Sequence, residues 1–140
     1  MKVLIDTCVI IDALQKRDPF FQDAQNLLLL AADDDFEGYV SAKSAIDVRY
    51  IIRKHSHSEI DSRYILNVIY DFLTIIDTTG EDCINALISN NNDYEDAVLV
   101  EGAKRSGIDF IVTRNTNDYA GLGIPAIEPS KLIDMIIERA

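Results

Sequence analysis

The chain has 140 residues and a mass of 15.7 kDa, is 48% hydrophobic with a mean hydropathy near zero, and carries a net charge of −11. That size fits one ordinary domain over residues 1–140, long enough to bury about 70% of the surface its unfolded form exposes. The acidic balance excludes coating nucleic acid by bulk attraction, so contact with RNA or DNA needs a local basic patch and bound cations.

No apolar stretch reaches the ~20 residues that span a bilayer, and LLLLAA (27–32) sits in a helical pattern, so no membrane role is expected. MKVLIDT at the start has an acid at position 6 and no small-residue cleavage site, which predicts a cytoplasmic protein without a signal peptide. Cys8 and Cys83 lack metal-ligand spacing, and Cys8 lies in an apolar run that suits a reduced, buried thiol.

In chain order, Met1–Ile5 reads as a first, central strand, followed by a helix over about 8–15 that Asp6-Thr7 can cap. Asp18-Pro19 predicts a second helix start, with Asp at the cap and Pro at the first helical position. Apolar residues Phe20, Ala24, Leu27, Leu28 and Ala31 carry that helix to the acidic run Asp33–Asp35. Gly38–Ser41 reads as a second strand, and 41–54 as a helix with Arg49, Arg53 and Lys54 on a basic face. Ser58 to Asp61 resembles a capping box opening a helix over 58–72. Leu73–Asp77 predicts a third strand and Thr79 the cap of a short helix to about Ser89. Asn90–Asn92 reads as a polar turn, Asp93–Ser106 as a helix ended by Gly107, and Asp109–Thr113 as a fourth strand. Ala126-Ile127 fits an edge strand and Pro129–Arg139 a last helix.

Strands alternating with helices predict a parallel sheet covered on both faces, with ligands in the crevice beyond the carboxyl ends of the strands. Asp6 follows the first strand, while Asn115 and Asp118 follow the fourth. The helix carrying Asp96 runs into that fourth strand, so its start lies at the same end of the sheet, and Asp47 can enter from the side. Converging carboxylates suit Mg²⁺ or Mn²⁺, which prefer carboxylate and water oxygens. Two such ions can flank an in-line phosphoryl displacement.

Each acid also has a plainer reading. Asp6 fits a helix cap, Asp47 an exposed helix face, and Asp118 the cap of the turn into Tyr119-Ala120-Gly121. Asp93 and Asp96, three apart, suit a first helical turn on dipole grounds alone. Thr113 can hydrogen-bond a carboxylate or a phosphate, Arg114 can contact RNA backbone, and Asn115 equally suits an ordinary turn. Ser41 and Ser44 can support the acids, and Ser41 equally serves as a cap. Arg49, Arg53, Lys54, Arg63, Lys104, Arg105 and Arg114 make either a local positive surface or solvated helix faces. His55 and His57 do not share a helical face and suit a solvated helix end. No Ser-His-Asp order, Walker loop or GxGxxG occurs.

VLIDTCVIID (3–12) and the later block DYEDAVLVEGAKRSGIDFIVTRNTNDY (93–119) resemble the PIN-domain family, in that order and spacing, from the first strand to about Tyr119. The resemblance implies a three-layer, Rossmann-like α/β fold with a parallel sheet flanked by helices. It also implies Mg²⁺- or Mn²⁺-dependent cleavage of RNA, as in the toxins of VapBC-type toxin–antitoxin pairs, usually homodimers held inactive by an antitoxin. Asp6 then matches the first family acid and Asp96 the third. The second, commonly Glu, falls on Asp47. The fourth, commonly Asp in Thr-Arg-Asp, falls on Asn115, with Asp118 as a substitute and Asp93 as an additional candidate.

The expectation is a metal-dependent endoribonuclease with catalytic Asp6, Asp47, Asp96 and Asp118. Asp6, Asp96, Asp47, Asp93 and Asp118 are candidate metal ligands, supported by Thr113, Arg114, Asn115 and Ser44. A non-catalytic PIN-like module that binds RNA or protein is the competing expectation. A phosphotransferase with Asp6 as nucleophile needs a second acid two residues on, where this chain has Cys8.

Overall fold

A computed structural model of the chain describes residues 1–89 and 93–139, so the expected turn at Asn90–Asn92 lies outside the described residues. Five parallel strands, β1 (Lys2–Ile5), β2 (Glu37–Ser41), β3 (Thr74–Ile76), β4 (Phe110–Val112) and β5 (Ala126–Ile127), form one sheet in the order β3-β2-β1-β4-β5. Seven helices connect them among the described residues: α1 (Thr7–Gln15), α2 (Phe21–Ala32), α3 (Ala42–Ser56), α4 (Glu59–Phe72), α5 (Gly80–Ala86), α6 (Tyr94–Arg105) and α7 (Pro129–Arg139). A 3₁₀ turn at Thr116–Tyr119 separates β4 from β5.

The central strand explains the layering. Side chains alternate across a strand, so Val3 and Ile5 enter a core with Val9, Ile10, Leu27, Val48, Ile52 and Leu132, drawn from α1, α2, α3 and α7. Leu4 points the other way, to Leu99, Val100, Ala103 and Ile111. Val3, Leu4 and Ile5 of β1 are fully buried, as expected for a strand covered on both faces. The three-layer α/β sandwich expected from the sequence is therefore the observed fold. No helix among the described residues is long and apolar enough to cross a membrane.

Local signals place most helix starts. Ser41 caps α3 by accepting the Ser44 amide, and Ser58 caps α4 by accepting that of Asp61. The full reciprocal capping box forms at Thr79 and Asp82 of α5 instead, while Ser58 supplies only one half of such a box. Asp93 caps α6 through the Asp96 amide at 3.1 Å, and Gly107 takes a positive φ of 69° just beyond the helix end. The expected start at Asp18-Pro19 is displaced. The Arg17 carbonyl accepts the amides of Phe20 and Phe21, both at 2.8 Å, so a turn precedes the helix, which begins at Phe21. Helix α5 also stops at Ala86, short of Ser89.

Candidate active site

Asp6 and Thr113 stand side by side because the β1–β4 register pairs Ile5 with Val112, and the Asp6 amide donates to the Val112 carbonyl at 3.0 Å. Both residues thus leave adjacent central strands at the carboxyl edge of the sheet. Asp6 occupies the N-cap position of α1, yet its side chain makes no capping hydrogen bond. Its Oδ2 accepts from the Thr113 hydroxyl at 2.9 Å and from the Tyr119 hydroxyl at 3.1 Å. The cap reading of this acid is thereby replaced by a side chain turned toward two hydroxyls. The Thr113 hydroxyl is itself oriented, since it accepts the Asn115 amide at 3.1 Å and so directs its proton toward Asp6.

Asp96 arrives from the first turn of α6. Its Oδ1 accepts from the same Tyr119 hydroxyl, again at 3.1 Å. Tyr119 is 2% exposed, so one buried phenol joins the two acids that the sequence singles out most strongly. A phenol has one proton to give, and two carboxylates at equal distance share it. Burial pushes the Asp96 carboxyl up to about 6, reinforced by the neighbouring negative charges of Asp93, Asp6 and Asp118 and opposed by the Tyr119 hydrogen bond. Burial and the same two acids push the Tyr119 hydroxyl upward, so it stays protonated.

Asp6, Asp96 and Asp47 line one cleft of about 490 Å³, together with Ser44 and Lys43. Asp47 is not bare there: Lys43, one helical turn back on α3, binds it and also donates to Glu95 on α6 at 3.2 Å. Ser44 is buried and accepts from the Ser41 hydroxyl at 3.0 Å, in line with a capping role. Asp93 and Asp118 line a second, larger cleft of about 1030 Å³ on the other side of α6, with Asn117. The structure thus divides the five candidate acids between two clefts. Among the described residues, no group of three or more His, Cys, Asp or Glu side chains stands close enough to hold one ion.

The donor set is therefore Asp6 and Asp96, backed by hydroxyls. Two carboxylates with water filling the remaining positions fit the way Mg²⁺ is commonly held, since it gives up its hydration shell reluctantly. Cys8 lies 3.7 Å from both Asp6 Oδ2 and Thr113 Oγ1, and burial and the Asp6 charge push its thiol upward. It is a protonated, half-buried neighbour of the acids.

Arg114 does not face this cleft. It pairs with Asp12 at 2.7 Å and lies over the Phe20 ring, 4.3 Å from its centroid. Asp12 is 1% exposed on the buried face of α1. Neither of its side-chain oxygens has an aligned hydrogen-bond partner among the described residues. Burial pushes its carboxyl up against the pull of Arg114 and Arg17. Arg114, expected as an RNA contact, is engaged by Asp12, and its side chain remains 26% exposed. Arg49 and Arg53 on the basic face of α3 and Arg63 of α4 all pair with Glu59, and the cluster keeps a net positive charge.

Sequence reasoning missed Tyr119, Asp12, Lys43 and Glu95 as parts of the site or its support. A signal existed for two of them: Asp12 interrupts an apolar helix face, and Lys43 precedes Asp47 by one turn. Tyr119 carried none, because its contacts reach back across the whole chain.

The chain resembles several solved structures closely in fold. A toxin–antitoxin complex from Klebsiella pneumoniae matches with a TM-score of 0.66 at 21% identity, over 91% of this chain and 97% of that one. VapBC2 from Rickettsia felis, bound to a promoter DNA fragment, matches at 0.67 and 17% identity, over 91% and 98%. VapC20 of Mycobacterium tuberculosis, a sarcin–ricin loop cleaving toxin, matches at 0.61 and 13% identity, over 78% and 86%. No curated protein matches the chain. A family model described as the PIN domain matches residues 2–117, from the first strand through the Thr113-Arg114-Asn115 turn, and the chain belongs to the PIN-domain family.

Proposed function

We propose that this protein is a Mg²⁺- or Mn²⁺-dependent endoribonuclease and the toxin of a VapBC-type toxin–antitoxin pair. One observation carries the reading: Asp6 and Asp96, from distant parts of the chain, meet through Tyr119 at the carboxyl edge of a parallel sheet, beside an open cleft. Membership of the PIN-domain family and the toxin–antitoxin complexes of like fold support it. Asp6 and Asp96 would hold the ion, with Asp47 reaching it once released from Lys43. Thr113 and Tyr119 orient the carboxylates, and Asn115 orients Thr113. When bound, the ion supplies the charge that activates an attacking water and offsets negative charge building on the phosphate. In this reading the protein works in the cytoplasm as a homodimer, with RNA as substrate and a cognate antitoxin as partner.

The test is Asp6→Asn. The purified variant should stay folded and lose Mn²⁺-dependent RNA cleavage; unchanged cleavage would overturn the proposal. A second reading, a non-catalytic PIN-like module that binds RNA or protein, is favoured by the Lys43 contact that occupies Asp47. Absence of Mn²⁺ binding to the wild-type chain in calorimetry would select it.

A further inference from the structure

We propose that Tyr119 is a positioning residue that sets which divalent ion the cleft prefers, favouring Mn²⁺ and Mg²⁺ over Ca²⁺; the inference rests on the metal-site reading of Asp6 and Asp96. The Tyr119 hydroxyl touches one oxygen of each carboxylate, Oδ2 of Asp6 and Oδ1 of Asp96, each at 3.1 Å. Among the described residues, no side-chain hydrogen bond reaches Asp6 Oδ1 or Asp96 Oδ2. Each acid is thus left one oxygen for an ion while the other is held by the protein.

That division matters because the two ion classes use carboxylates differently. Mg²⁺ and Mn²⁺ fit octahedral sites of single oxygens, whereas Ca²⁺ takes six to eight ligands and readily accepts both oxygens of one carboxylate. A hydroxyl engaged with one oxygen of each acid works against two-oxygen chelation. It also fixes the rotation of each carboxylate, the usual service of groups behind metal ligands. The two acids are not equally dependent on it. Asp6 Oδ2 has a second donor in Thr113 at 2.9 Å, whereas Tyr119 is the one side-chain donor to Asp96 among the described residues. The 2% exposure of Tyr119 leaves the ring little freedom to swing away. Phe at this position keeps the ring and removes only the hydroxyl.

Calorimetric titration of wild type and Tyr119→Phe with Mn²⁺ and, separately, Ca²⁺ tests this. The variant should bind Mn²⁺ about 10–100-fold more weakly, the usual loss when a group behind a metal ligand is removed. Its Ca²⁺ affinity should change far less, so the Mn²⁺/Ca²⁺ ratio falls. A purely structural role would weaken both ions alike, and equal losses or an unchanged ratio overturn the proposal. Should Tyr119→Phe fail to fold, Thr113→Val removes the shorter hydroxyl contact from Asp6 Oδ2, leaving Tyr119 and the more distant Cys8 thiol, and should lower the same ratio, while Thr113→Ser should preserve it. A Thr113→Val ratio equal to wild type then overturns the proposal. Wild type that binds neither ion overturns both this inference and the metal-site reading, whereas Mn²⁺ binding with an unaltered ratio in the variants overturns this inference alone.

Discussion

Asp12 and Arg114 meet at 2.7 Å inside the fold, where the end of α1 passes the turn that follows β4. Arg114 is flanked in sequence by Thr113 and Asn115, the pair whose hydrogen bond orients Thr113 toward Asp6. The ion pair and the stack on Phe20 thus anchor the backbone that carries the hydroxyl to the site. A pair of this kind has a large desolvation cost, and losing one partner leaves a buried charge unmatched.

Arg114→Ala should therefore destabilise the protein by about 3 kcal/mol. The double variant Asp12→Leu, Arg114→Met should recover much of that loss, because apolar groups of similar size avoid the desolvation cost. Urea denaturation of the single and double variants measures both. A double variant no more stable than Arg114→Ala would show that the pair is not what the single substitution breaks.

Lys43 competes with cations for the cleft. It binds Asp47 and Glu95 and sits beside Asp6 and Asp96. Lys43→Met should tighten Mn²⁺ binding by about fivefold, a modest effect because the ammonium is partly solvated and screened. Calorimetry at low ionic strength reads it. Weaker binding in the variant would assign Lys43 to supporting the site.

Asp96 makes stability depend on pH in the metal-free protein. Its carboxyl is raised from 3.8 to about 6 by burial and by Asp93, so the folded chain holds a proton that the unfolded chain has already released. The stability from this group is fully present below about pH 4 and is lost as pH rises through about 6. Thermal unfolding in a chelator should show this loss in wild type, and Asp96→Asn should lack it. Mn²⁺ affinity should move the opposite way, strengthening from pH 5 to 7 as the proton gives way to the ion. Identical pH profiles for the two proteins would remove Asp96 as the cause.

Asp82 locks α5 to α6. It caps its own helix with Thr79 and accepts from Arg105 at 2.9 Å, while Arg105 also donates to the Asp77 carbonyl at 2.6 Å. The Arg105 hydrogen bond holds its carboxyl below the usual range, so this contribution is present above pH 4 and is lost as pH falls further. Asp82→Ala should cost about 2 kcal/mol through the lost cap and charged hydrogen bond, measured by chemical denaturation at pH 7. A variant within a few tenths of wild type would refute the lock.

Much of the fold was legible because its signals are local. The apolar run Val3–Ile5 marks a strand buried on both faces, and Ser41, Ser58, Thr79 and Asp93 each cap a helix within three residues of themselves. The start of α2 was misread because Asp18-Pro19 looks like a cap, whereas the bonds that decide it close on the Arg17 carbonyl. The seven cations were ambiguous for a similar reason, since Glu59 gathers Arg49, Arg53 and Arg63 only once α3 and α4 pack together.

By itself, the sequence determined the alternation of strands and helices, and with it the parallel sheet and the edge where Asp6 and Asp96 emerge. Hydrophobic periodicity and capping act within a few residues and do not need the rest of the chain. Only the tertiary structure decided which oxygens are free, because carboxylate rotation depends on donors from distant segments. Tyr119 reaches Asp6 and Asp96 from beyond β4, Lys43 bridges Asp47 and Glu95, and Arg114 pairs with Asp12. Those contacts arise when the elements pack, and they separate Asp6 and Asp96, joined through Tyr119, from Asp47, held by Lys43 in the same cleft, and from Asp93 and Asp118, which line another.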